Sequence, residues 1–112
     1  MDSEVFTVTL DGRQIKTLDS FLLQMEQKFK FPRLCDGSIN RFMDWIEDLM
    51  WLNKDEYIVV VYHYKEMCKC DNVKRDEIIE LFRDVILPWW EGDVENCVVG
   101  GKAKPFNVYL VD

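Results

Sequence analysis

The run Tyr57–Tyr62, with the sequence YIVVVY, is the feature that most restricts the fold of this chain. Its apolar residues are continuous and do not alternate with polar ones, which is typical of a strand covered on both faces of a sheet. Two further β-rich runs occur at Val5–Leu10 and Phe106–Val111. Helix-sized segments separate the three runs, and parallel strands need connections of that size. The sequence therefore predicts a small α/β domain with a parallel sheet and helices packed on it.

Three helices are predicted, and each has a start signal and an apolar stripe. The first follows the N-cap Thr17 and is expected to stop at Phe31-Pro32, the second follows the N-cap Ser38, and the third is capped by Asp71 or Asn72 and is expected to end near Pro88. The stripes expected to face the core are Leu18, Phe21, Leu22, Met25 and Phe29; Ile39, Phe42, Met43, Ile46, Leu49 and Met50; and Ile78, Ile79, Phe82, Val85 and Ile86.

Residues 89–105, WWEGDVENCVVGGKAKP, match none of these elements. They are predicted to form an extra loop before the last strand, or a small hairpin around Cys97–Val99, because glycines and a proline mark turns. At least one of Trp89 and Trp90 is expected in the core, and an exposed one would be a binding anchor. The whole chain, residues 1–112, is expected to form one domain.

The net charge of −7 is unevenly distributed along the chain. Residues 35–56 carry six acidic residues against two basic ones, and residues 71–95 carry eight against three. Such a field repels nucleic acid and attracts basic partners, so it predicts a basic protein partner and no nucleic acid. A surplus of solubilising acids is the alternative, although solubility alone does not require clustering.

The second helix carries a contiguous acidic flank. At 100° per residue, Asn40, Asp44, Glu47 and Asp48 lie on one side of the inward stripe, with Arg41 further round. The flank is therefore either a solvated face or a site for a basic ligand.

No apolar run of 18 residues is present, and the first ten residues lack the pattern of a signal peptide, so we expect a cytoplasmic protein without a membrane partner. Cys35, Cys68, Cys70 and Cys97 are irregularly spaced, which favours free thiols in a reducing compartment. A metal site that combines Cys68 and Cys70 with Cys35, Cys97 or His63 is the alternative.

Groups suited to catalysis are few. The single histidine, His63, follows a predicted strand, and the chain contains no glycine-rich phosphate loop, no Ser-His-Asp set and no HExxH motif. Asp44 and Asp48 on one helix would suit acid–base or Mg²⁺ chemistry, but that spacing is also a common surface pattern. We therefore expect a binding module that needs no cofactor, and not an enzyme.

Several short motifs follow one another in a recognisable order. They are Asp11-Gly12-x-x-Ile15, Phe31-Pro32, a turn with Gly37, Asp44, Asp48-Leu49-x-Trp51-Leu52, LFRD at Leu81–Asp84, and the last strand at Phe106–Val111. Together they resemble the barstar family, the intracellular inhibitors of barnase-type ribonucleases. The resemblance implies a three-stranded parallel sheet with helices beside it. It also implies that the second helix and the turn before it enter a ribonuclease active site.

The resemblance implies roles for single residues as well. Asp44 matches the carboxylate that takes the place of an RNA phosphate among basic catalytic residues, and Asp84 matches a supporting acid. Leu34, Asn40 and Met43 stand where the family has an aromatic residue, a second carboxylate and a tryptophan, and Gly37 comes one residue late. The expected partner-binding residues are Leu34, Asp36, Gly37, Asn40, Arg41, Met43, Asp44, Glu47, Asp48 and Asp84.

Three functions remain open on these grounds. The first is an inhibitor or immunity protein, monomeric when free, that binds a secreted or toxin ribonuclease in a 1:1 complex. The second is an immunity protein of the same fold against another toxin class, such as a DNase, which the departures at Leu34, Asn40 and Met43 and the insertion at 89–105 favour. The third is a small enzyme or metal-binding protein built on Asp44, Asp48 and the cysteines.

Overall fold

Three parallel strands form the sheet in the computed structural model, which describes residues 4–112. They are β1 (Val5–Asp11), β2 (Glu56–Tyr62) and β3 (Phe106–Val111), in the order β1-β2-β3. In the register, Val59 of β2 lies between Val8 and Val108. The predicted three-stranded parallel sheet packed with helices is confirmed.

The helices fill the two crossovers between the strands. They are α1 (Leu18–Lys28), α2 (Ile39–Ile46), α3 (Asn72–Leu81) and α4 (Val94–Cys97), and 3₁₀ turns occur at Gly12–Gln14 and Tyr64–Glu66. The predicted N-caps are confirmed, because the side chains of Thr17, Ser38 and Asp71 each accept a hydrogen bond from a backbone N–H of the first turn. Within residues 4–112, no helix combines the length and the apolar character needed to cross a bilayer.

All the helices cover one face of the sheet. Tyr57, Val59 and Val61 of β2 are buried, whereas Ile58 and Val60 between them are partly exposed. The prediction that this strand is covered on both faces is therefore wrong. The reason is topological: with the order β1-β2-β3, two right-handed crossovers deliver their helices to the same face.

The helix that begins at Asn72 does not end near Pro88, which corrects the prediction. It continues through π-type turns at Phe82–Ile86 and Trp89–Asp93 into α4. Proline lacks the N–H that an α-helix needs, but wider i→i+5 turns on both sides redistribute the hydrogen bonds around it. We call residues 82–97 the helical extension. The loop is thereby reduced to residues 98–105, and the hairpin predicted around Cys97–Val99 is wrong because Cys97 ends α4.

The predicted core stripes are correct except where a helix departs from regular geometry. Ile39 is exposed at the first position of α2, and Met50 is exposed because the chain leaves helical geometry before Leu49, which has φ +56°. Val85 is exposed because it lies in a π-type turn, which shifts the phase of the stripe. Buried as predicted are Phe21, Leu22, Met25, Phe29, Phe42, Ile46, Leu49, Ile78, Phe82 and Ile86.

Gly12 lies where the turn after β1 crosses the turn after β2. A Cβ at this position would collide with the carbonyl oxygen of His63 and would lie 3.2 Å from the backbone nitrogen of Met67. The Asp11-Gly12 turn signal therefore reflects close packing of two chain segments.

We expect Gly12→Ala to lower the free energy of unfolding by about 1–3 kcal/mol, because backbone must move to admit the methyl group. Gly92→Ala is the matched control. It lies in the helical extension with no atom within 4 Å of the added Cβ, and we expect it to stabilise the protein by roughly 0.5–1 kcal/mol. Urea denaturation measures both changes, and equal midpoints for Gly12→Ala and the wild type would contradict the packing described.

Candidate partner-binding site on helix α2

A tight turn at residues 35–38 sets the direction in which α2 begins. The N–H of Ser38 donates to the carbonyl oxygen of Cys35 at 2.9 Å. The two residues between them, Asp36 and Gly37, have φ +51° and +75°, as in a type I′ turn. Because aspartate tolerates the left-handed region better than most residues, the late glycine leaves the turn intact.

The turn is anchored in the protein interior by Cys35. This residue is fully buried, and its N–H donates to the Glu26 carboxylate at 3.3 Å. Burial, with smaller contributions from the Glu26 and Asp36 carboxylates, raises the pKa of the Cys35 thiol to about 11. The thiol therefore stays protonated at neutral pH and serves as packing.

Two adjacent indoles fix the C-terminal end of α2. The last carbonyl groups of a helix lack partners within the helix. Trp90 donates its indole N–H to the carbonyl oxygen of Ile46 at 3.0 Å, and Trp89 donates to that of Glu47 at 2.9 Å. Trp90 is buried and Trp89 partly buried, which confirms that at least one lies in the core. These bonds tie α2 to the helical extension.

A third indole plays the same part at the end of α1. Trp51 donates to the carbonyl oxygen of Phe29, the C-cap of α1, at 2.9 Å. Trp45 of α2 packs edge-to-face on Trp51, with ring centroids 5.5 Å apart. The ends of both helices are therefore joined to one aromatic cluster.

We call Asp44, Glu47 and Asp48 the acidic edge. All three line one groove at the C-terminal end of α2. Among residues 4–112, no cation forms an ion pair with any of the three. Burial raises the pKa of Glu47, and the neighbouring charge of Asp44 raises it further. The carboxylates also lie at the negative end of the helix dipole, where an acid is unfavourable by about 0.3–1 kcal/mol.

Four of the predicted partner-binding residues surround a second concavity, on the other side of Asp44. Leu34, Asp36, Arg41 and Asp44 line it, together with Arg33 and Trp45, and its volume is ≈ 430 Å³. Arg41 pairs with Asp36 at 3.1 Å on the exposed surface. Asp44 is thus shared between this cavity and the groove beside the acidic edge.

The remaining predicted residues line neither concavity. Asn40 is exposed, Met43 packs against the core, and Gly37 lies close to the Asp19 carboxylate. Asp84 is exposed and accepts two hydrogen bonds from Arg83, at 2.9 and 3.0 Å, which lower the pKa of its carboxyl group. The charge of Asp84 is therefore already paired within the chain.

The sequence also matches the model of a known protein family. Residues 5–110 match the model described as Barstar (barnase inhibitor). The chain belongs to the barstar family. Searches of curated proteins and of solved structures gave no match. The match spans nearly the whole chain, and barstar-family proteins are inhibitors and not enzymes.

The barstar resemblance did not point to several residues that line the two concavities. Arg33 and Trp45 border the smaller cavity, and Trp89, with residues 98–102, borders the groove. No local signal identifies residues 98–102, because their position depends on a helix that continues past Pro88. The aromatic character of Trp89 and Trp90 indicates a role in the core or in binding, but their hydrogen-bond partners lie more than 40 positions away in sequence.

The cysteines and the histidine bear on the alternative of a metal site. Cys35 and Cys68 are buried free thiols, and Cys70 and Cys97 are exposed free thiols. In the part of the chain that is described, no three His, Cys, Asp or Glu side chains meet as metal ligands. His63 borders a cavity of ≈ 300 Å³ at the ends of β1 and β2.

Arg13 occupies that strand-end cavity with a forked contact to Asp11. Its Nε and Nη2 atoms lie 3.0 and 2.8 Å from the carboxylate oxygens, and this holds the pKa of Asp11 at about 2. The guanidinium is therefore already engaged by a carboxylate of the chain itself.

We expect Trp90→Phe to lower the free energy of unfolding by about 1–3 kcal/mol, because it leaves the Ile46 carbonyl without a donor in a buried place. Trp89→Phe is the matched control, because its bond to the Glu47 carbonyl is only partly buried and Glu47 is partly exposed. We expect a loss of about 1 kcal/mol or less. Urea denaturation of the two variants provides the comparison. Equal losses would show that the buried bond of Trp90 stabilises the fold no more than the partly buried bond of Trp89.

Proposed function

We propose that the protein inhibits a basic ribonuclease by inserting α2 and the turn before it into the enzyme's active site. The observation that carries this proposal is the acidic edge, three carboxylates that meet no cation among residues 4–112. Membership of the barstar family supports it. A cationic partner would relieve the repulsion that the free protein retains.

The position of these acids favours binding over solubility as their role. A helix gains stability from acids at its N-terminal end and loses it from acids at its C-terminal end. The acidic edge lies at the unfavourable end of α2. Burial and the neighbouring charge of Asp44 also raise the pKa of Glu47. Solubilising acids could be placed elsewhere without this penalty, so the placement points to a ligand.

In this mechanism Asp44 replaces an RNA phosphate among the Arg, Lys or His⁺ side chains of the nuclease. A carboxylate on a rigid helix makes charge-assisted hydrogen bonds to such groups but offers no bond to cleave. The nuclease loop around those cations enters the cavity lined by Leu34, Asp36 and Arg41.

The outer acids and the neighbouring residues play lesser parts in the proposed complex. Glu47 and Asp48 accelerate association through their field. Gly37, Asn40 and Met43 shape or flank the contact. Asp84, paired with Arg83, lies at its edge, where an exposed ion pair contributes little. We propose one inhibitor domain per nuclease, acting in the cytoplasm as a monomer when free.

A second candidate is an immunity protein of the same fold against another toxin class, such as a DNase. Leu34, Asn40 and Met43, which differ from the residues that the barstar resemblance implies, change the surface beside Asp44 and favour a target other than barnase. Any enzyme that binds nucleic acid presents cations to phosphates, so the acidic edge suits this target as well.

The test is titration of a barnase-type ribonuclease that cleaves a fluorogenic RNA. We expect stoichiometric inhibition by the wild type and at least tenfold weaker inhibition by Asp44→Ala, a change of about 1.4 kcal/mol. The melting temperature of Asp44→Ala should be unchanged or slightly higher, because the removed charge lies at the unfavourable end of α2.

Asp76→Ala provides the control for loss of one negative charge. Asp76 is an exposed residue of α3 and lines none of the three surface cavities described here. We expect it to inhibit like the wild type. Unchanged inhibition by Asp44→Ala, with a large loss of stability, would make Asp44 a structural residue and overturn the proposed site. Absence of inhibition by the wild type would reject barnase-type ribonucleases and favour the second candidate.

A further inference from the structure

A groove of ≈ 600 Å³ runs between the C-terminal end of α2 and residues 98–102. Its base is apolar and buried, and it consists of Leu49, Trp90 and Val94. Its rim exposes Met50 and Val99, which are 78% and fully accessible. Apolar side chains that converge on a concave surface are typical of a binding site.

The outer wall of the groove is held in a fixed conformation by hydrogen bonds. The N–H of Gly101 donates to the carbonyl oxygen of Val98 at 2.9 Å and closes a tight turn with Val99 at its tip. Gly100 follows Val99 with φ +75°, as a type II turn requires. Val99 is therefore held outward by the backbone geometry of the turn.

Hydrogen bonds on the far side fix the same wall to the helical extension. The N–H of Lys104 donates to the carbonyl oxygen of Trp90 at 3.0 Å, and that of Ala103 donates to the Glu95 carboxylate at 3.0 Å. A Cβ at Gly101 would collide with the carbonyl oxygen of Val94, so the wall packs directly on α4. The groove is thus preformed, which lowers the ordering cost of binding.

The groove is lined by charges of both signs. The acidic edge forms the α2 side, and Lys102 and Lys104 lie on the opposite side. The Lys104 ammonium lies 5.9 Å from the centre of the Tyr57 ring, so a cation–π contact draws it toward the interior. The α2 side of the groove therefore attracts positive charge beside the apolar base.

We infer that the groove receives an aromatic or long aliphatic side chain of the partner protein, flanked in sequence by basic residues. The apolar side chain fills the space above Leu49 and Trp90, and the adjacent cations meet the acidic edge. The inference rests on the proposed function for the identity of the partner, since the groove and the proposed nuclease contact share Asp44. It adds a second anchor, beyond the phosphate-mimicking carboxylate.

The groove can be tested without the nuclease, by nuclear magnetic resonance of the ¹⁵N-labelled full chain. The probes are two tripeptide amides, Lys-Trp-Lys and Glu-Trp-Glu, which share the apolar side chain and differ in flanking charge. We expect saturable shifts at the Trp89 and Trp90 indole N–H signals and at backbone amides 98–101. The cationic peptide should bind more tightly by about fivefold or more, because its flanking charges face the acidic edge.

Shape-conserving substitutions locate the response in the groove. We expect Met50→Gln/Val99→Thr to weaken binding of Lys-Trp-Lys by about threefold or more, because both changes remove apolar contact and add no charge. Val73→Thr is the matched control, because Val73 is exposed on α3 outside the groove. It should bind the peptide like the wild type.

Three outcomes overturn the inference: shifts confined to other parts of the chain, equal affinity for the two peptides, and unchanged affinity in Met50→Gln/Val99→Thr. The ribonuclease assay separates the two proposals. Nuclease inhibition without a groove response rejects the groove and leaves the proposed function standing. A groove response without nuclease inhibition supports the groove and counts against a ribonuclease as its partner.

Discussion

The fold depends on hydrogen bonds from indole N–H groups to the carbonyl oxygens at the C-terminal ends of α1 and α2. Three of the four indoles in the chain donate to such carbonyls, at Phe29, Ile46 and Glu47. These bonds link residues far apart in sequence, so each joins a local structure to the tertiary fold. An isolated helix of eight residues, the length of α2, is only marginally stable in water. The bonds from Trp89 and Trp90 therefore stabilise α2 in the folded protein. Removing them would free the segment that carries the acidic edge.

The acidic edge is held rigidly in an environment that does not favour it. Asp44, Glu47 and Asp48 line one groove at the negative end of α2, with no cation among residues 4–112 to pair with them. A structure optimised for stability alone would place lysine or arginine there. Proteins commonly retain such local conflicts at functional sites, where a ligand removes them. The same reasoning applies to Val99, an apolar side chain held outward at the tip of a tight turn.

Much of the fold follows from sequence because its signals are local. Three apolar runs predict the strands, and Thr17, Ser38 and Asp71 predict the helix starts. The helical extension could not be predicted, because Pro88 is a strong local stop signal. The π-type turns redistribute the backbone hydrogen bonds around the proline, and tertiary bonds from Trp89 and Trp90 to α2 hold the extension in place.

The sequence did not predict that helices cover only one face of β2. That arrangement follows from the strand order and not from the composition of the strand. For the site, the sequence placed Asp44, Glu47 and Asp48 on one flank, and they line one groove. The opposite wall at residues 98–102 is brought there by the extension, so no local pattern could reveal it.

The central claim is that the acidic edge reduces stability and provides binding. The most direct measurement compares the free energy of unfolding of the variant Asp44→Asn/Glu47→Gln/Asp48→Asn with that of the wild type. Urea denaturation gives both values at a series of pH values from 7 down to 4.5, and 4.5 is the ordinary pKa of Glu47. The pKa of Glu47 is raised in the folded protein, so its ionised form costs stability at neutral pH, and protonation removes this cost as the pH falls through the folded pKa. We predict a variant that is more stable than the wild type at pH 7, by a margin that narrows toward pH 4.5, and that no longer inhibits the nuclease. A variant less stable than the wild type at pH 7 would show that the carboxylates support the fold, and would contradict the account.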